Sequence, residues 1–108
     1  MYEIWKNERT VNEVDITTFC RDTDGVNVLE VEAGTNGPKG INIEYGCRTY
    51  LRITDQACTD MEVKALGEDD GITGFEVSLS GDSELRTFIE ALKFAVQVLE
   101  DMEKGDWE

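Results

Sequence analysis

Two periodicities and one absence predict an α+β fold. Apolar and polar side chains alternate over the first three-quarters of the chain, as in half-buried strands. The last quarter changes to a 3.6-residue period. No linker or internal repeat separates the two regions. The expected architecture is a mostly antiparallel sheet of five to six strands, followed by one long amphipathic C-terminal helix packed on one face. The 108 residues are read as a single domain, strand-rich over 1–80 and helical over about 82–104.

Taken in order, Tyr2 to Lys6 is a short aromatic-rich candidate strand. Val11 to Cys20 alternates, with Val14, Ile16, Thr18 and Cys20 on one face. Asp22-Thr23-Asp24-Gly25 is a hairpin turn signature, because Asp-Gly accepts positive φ. Val26 to Ala33 returns as a strand, with Leu29, Val31 and Ala33 together on one side and Glu30 and Glu32 on the other. The segment Gly34 to Gly40 holds three glycines and the only proline, and reads as a loop. Ile41 to Tyr45 is a short extended piece. Cys47 to Thr54 is a strand that places Arg48, Tyr50, Arg52 and Thr54 on one face. Met61 to Leu66 and Ile72 to Ser80 are strands around the acidic turn Glu68-Asp69-Asp70-Gly71.

The helix is expected to start at Asp82 or Ser83 as N-cap and to stop at Lys104-Gly105. Leu85, Ile89, Leu92 and Val96 sit together on the wheel, with Phe88, Ala95 and Leu99 beside them, and form the expected core stripe. Ala91, Phe94 and Val98 lie well round the cylinder. They need a second cover: either a curled sheet or loop of the same chain, or a helix-to-helix homodimer. The expected core is Ile16, Leu29, Val31, Leu51, Ile53, Val63, Phe75, Val77, Leu79, Leu85, Phe88, Ile89, Leu92, Val96 and Leu99.

Charge narrows the function classes. Asp and Glu number 24 against 10 Lys and Arg, a net charge of −14, and there is no histidine. Direct nucleic-acid binding requires a basic face, so it is not expected. The commonest general base and metal ligand is missing. No stretch reaches 18 consecutive apolar residues, so no membrane span is expected. The N-terminus lacks the basic and apolar regions of a secretory signal. The three cysteines, Cys20, Cys47 and Cys58, have no CxxC spacing and read as reduced thiols in a cytoplasmic protein. No cofactor, metal or catalytic residue is expected. The glycine loop lacks the Gly-Lys-Ser/Thr ending of a P-loop, and the acidic turn at Asp22 fails the calcium-loop spacing.

Two binding readings remain. The acidic reading assigns a partner-binding surface to Glu30, Glu32, Glu68, Asp69, Asp70, Glu100 and Asp101. Carboxylates on alternate strand positions lie about 6–7 Å apart and imitate a phosphate backbone to a basic protein. In composition, though in no residue motif, the chain is similar to small phage-encoded DNA mimics and anti-CRISPR proteins, which implies an inhibitor acting in the host cytoplasm. The other reading is an oligomeric small-ligand binder. Here Lys39, Arg48, Tyr50 and Arg52 would hold an anionic metabolite or nucleotide signal, because arginine forks bind phosphate and tyrosine stacks. This segment is the least acidic: residues 41–60 carry three acids and two arginines, whereas 61–108 carry a net −9.

Overall fold

The computed structural model describes residues 3–37, 47–57 and 59–105. Six strands and one helix follow in chain order: β1 (Trp5–Val11), β2 (Val14–Asp22), β3 (Val28–Thr35), β4 (Thr49–Ala57), β5 (Met61–Glu68), β6 (Gly71–Leu79) and α1 (Asp82–Lys104). β1 to β4 form an antiparallel sheet in sequence order, and β5 and β6 form a separate two-stranded sheet. The fold is therefore α+β, with six strands among the described residues divided between two sheets. The expected pieces at Tyr2, Ile41–Tyr45 and Cys58 lie outside the described residues.

Local chemistry accounts for the boundaries. The segment expected to run as one strand from Val11 is broken at Asn12-Glu13, which join β1 to β2 as a two-residue turn. Both residues have positive φ, 49° and 71°, the geometry of the tight hairpin that matches strand twist. Asn tolerates this conformation and Glu does not advertise it, so the turn is hidden in the sequence. Thr23 replaces the simple Asp-Gly turn with a buried anchor. Its Oγ1 accepts from Leu29 N at 2.9 Å and shares a hydrogen bond with Thr87 of α1. Gly34 is required by close approach: a Cβ there would lie 2.4 Å from the Thr17 carbonyl oxygen.

The helix begins after Gly81 with no side-chain cap, so neither Asp82 nor Ser83 caps it. It ends as expected at Gly105, whose left-handed conformation returns its N–H to the Met102 carbonyl at 3.1 Å.

The core reverses the expected helix orientation. Ala91, Phe94, Ala95 and Val98 are buried against Phe19, Leu29, Val31 and Ala33 of β2 and β3. Ala91, Phe94 and Val98 are thus covered by the sheet of their own chain and are not a dimer face. The stripe expected in the core lies outside instead: Leu85, Ile89, Leu92 and Val96 are 40–59% exposed. The buried face carries the small side chains Thr87, Ala91 and Ala95 beside Phe94 and Val98, and small side chains permit close packing on a sheet. Leu51, Val63 and Phe75, also expected in the core, are exposed, while Ile16, Leu29 and Val31 are buried as expected.

Candidate functional site

Successive residues of a strand point to opposite faces. Leu29, Val31 and Ala33 of β3 face the helix, so Glu30 and Glu32 face away from it. Register brings three neighbouring strands to the same place. Glu32 lies opposite Cys20 on β2 and Arg52 on β4, and the next strand out presents Asn7 and Arg9.

Glu32 is the centre of this polar face. It is only 4% exposed. Arg9 holds it in a two-pronged ion pair, with Nε donating to Oε2 at 2.8 Å and Nη2 to Oε1 at 2.7 Å. Thr18 Oγ1 donates to Oε2 at 2.6 Å, and Asn7 Nδ2 reaches the same oxygen at 3.4 Å. The Arg9 guanidinium also lies 5.2 Å from the centre of the Tyr50 ring. The hydrogen bonds from Arg9 hold the Glu32 carboxyl below its ordinary value; Thr18 and the charge of Arg52 act in the same direction, against burial. Arg9 in turn is held more firmly protonated by Glu32. Burial, aided by the Glu32 charge, pushes the Cys20 thiol up to about 12.

This geometry corrects one expected role. Glu32 belongs to a buried network and is not part of an acidic surface. Glu30 is half-buried and accepts from Gln56 Nε2 at 2.8 Å. Glu68, Asp69 and Asp70 are exposed together at the β5–β6 turn. Glu100 is exposed near the end of α1, where the Asp101 carboxylate accepts from Gln97 at 3.0 Å. The seven acids therefore lie on three elements.

The expected anion site divides likewise. Tyr50 and Arg52 share the polar face, as the alternation required. Tyr50 is occupied by Arg9, and Arg52 Nε donates to Thr54 Oγ1 at 3.2 Å. Arg48 turns to the β1–β2 turn, where its Nε donates to the Val11 carbonyl at 3.2 Å and its Nη2 to that of Asn12 at 3.5 Å. Lys39 lies outside the described residues. A cleft of about 300 Å³ near these strands is lined by Thr35, Gly37, Cys47, Thr49, Leu99, Glu100 and Glu103. Its charged lining among the described residues is acidic, which repels an anion.

Arg9, Asn7 and Thr18 were not singled out from the sequence. The signal that finds them is the Asn12-Glu13 turn: once it is placed, pairing Asn7 with Thr18 and Arg9 with Ile16 puts them beside Glu32. A second ion pair, Arg21 to Glu90 at 2.7 Å, ties β2 to the helix. Among the described residues no group of His, Cys, Asp and Glu is arranged to hold a metal ion, and no helix is long and apolar enough to cross a membrane. Compared with known proteins, the chain matches no family model, no curated protein and no solved structure.

Proposed function

We propose that this chain is a non-enzymatic acidic binding protein that engages the basic surface of a protein partner, as an inhibitor that occupies a phosphate-binding site. The observation that carries the reading is the division of its charges. Arg9 and Arg21, both half-buried, are paired with Glu32 and Glu90 of the same chain. Glu3, Glu8, Glu13, Asp15, Asp55, Asp60, Glu62, Glu76 and the Glu68-Asp69-Asp70 turn are exposed. The surface is thus more one-sided than the composition alone requires. Such a field steers association with a cationic surface and disfavours acidic partners.

The polar face supports the non-enzymatic part. Its buried carboxylate is neutralised by Arg9 and is a weak base, and the Cys20 thiol stays protonated and is a weak nucleophile. The reading extends to a DNA mimic of the phage counter-defence type, acting in the cytoplasm. A panel of basic nucleic-acid-binding proteins tests it by anisotropy at low salt, with duplex DNA as competitor. Binding to at least one member, displaced by DNA, is expected. Absence of binding across the panel, or binding that DNA leaves untouched, overturns it.

A further inference from the structure

The β5–β6 hairpin has an apolar face that its own chain does not cover. Register places Met61 opposite Leu79, Val63 opposite Val77, and Ala65 opposite Phe75, all on one side. Met61 packs against the core at the hairpin base. Beyond it the hairpin has only sparse contact with the main sheet or the helix. Val63 is 61% exposed, Phe75 66% and Ile72 77%. An isolated two-stranded hairpin is marginal in water. The outer stripe of α1 is a second uncovered apolar face.

We infer that two copies of this chain associate, the hairpin face of each lying over the outer α1 stripe of the other. Two observations select a second copy as the occupant. The first is area. The chain exposes 7534 Å², about 1,500 Å² more than a compact monomer of this mass. A stable interface removes about 800 Å² from each partner. The second is shape. The radius of gyration is 15.3 Å, against about 13 Å for a compact chain of this length. Each chain carries two uncovered apolar faces, so a two-fold contact that exchanges them covers both in each copy. Only Ser80 and Gly81 join β6 to α1.

Sedimentation velocity and native mass spectrometry of the full chain test the inference, in moderate salt to screen repulsion between copies. The wild type is expected to dimerise. Phe75→Glu and Ile89→Lys, both at exposed positions, are each expected to weaken the dimer about thirtyfold or more while the helical circular dichroism is retained. Mixing the two variants is expected to give a heterodimer, because one contact is then native and the other pairs Glu with Lys. If either charged variant fails to fold, Phe75→Ala and Ile89→Ala replace it. A monomeric wild type, a dimer indifferent to either position, or variants that do not pair on mixing each overturn the inference. Partner binding is measured separately, so the two proposals fail independently.

Discussion

At the residue scale, the Arg9–Glu32 pair is the molecule's main internal electrostatic commitment. Removing Glu32 leaves Arg9 and Thr18 without their acceptor, and Glu32→Ala is expected to cost about 1–3 kcal/mol in chemical denaturation. The pair also sets an acid response. Glu32 titrates below its ordinary 4.5 in the folded chain. Its contribution is therefore complete above that value and is lost as pH falls through the depressed one. Denaturation across this range is expected to show a shallower acid loss for Glu32→Gln than for wild type. In Arg9→Ala, an NMR titration is expected to find the Glu32 carboxyl shifted upward, because burial then acts with less opposition; an unmoved value contradicts the pairing. Cys20 and Cys47 provide a second residue-level check. Cys20 is 1% exposed with a thiol pushed up to about 12, whereas Cys47 is exposed. Brief alkylation of the native protein followed by mass mapping is expected to label Cys47 and spare Cys20.

At the element scale, strand alternation was legible because a period of two has only two outcomes. The faces of β3 and β4 follow directly from Leu29-Glu30-Val31-Glu32 and Arg48-Thr49-Tyr50. The helix was legible in extent and not in orientation. Its wheel is apolar on more than one side, and periodicity ranks faces by hydrophobicity alone. The sheet covers the face with the small side chains Ala91, Ala95 and Thr87, and not the more hydrophobic one, with Leu85, Ile89 and Leu92. Small side chains permit close packing on a sheet. Phe94→Ala is accordingly expected to cost about 3–5 kcal/mol, and Leu92→Ala, in dilute protein, within about 0.5 kcal/mol. Thermal or chemical denaturation ranks them, and the reverse order would restore the orientation expected from the wheel. The candidate site was legible only in part for a related reason. Tyr50 and Arg52 were placed on one face by alternation, but Arg9 reaches it only through the Asn12-Glu13 turn, which has no glycine to mark it.

At the scale of the whole molecule, acidity and openness belong together. The sheet and helix form one core, the hairpin extends beyond it, and the extents are 44 × 44 × 18 Å. Such a slab presents much surface for its mass. Its apolar parts are the uncovered hairpin and helix faces, and its charge is concentrated in carboxylates that the internal arginines do not neutralise. The Glu68-Asp69-Asp70 turn stands at the end of the hairpin and is the most compact exposed cluster among the acids assigned to partner binding. The salt dependence of affinity reports whether these carboxylates engage a partner. Dissociation constants for a basic nucleic-acid-binding partner are measured over a salt series, for wild type and for Glu68→Gln with Asp69→Asn and Asp70→Asn. The wild type is expected to weaken steeply with salt, and the triple variant to show a shallower slope because fewer charges are screened. A wild-type affinity indifferent to salt, or identical slopes for the two proteins, would contradict the account.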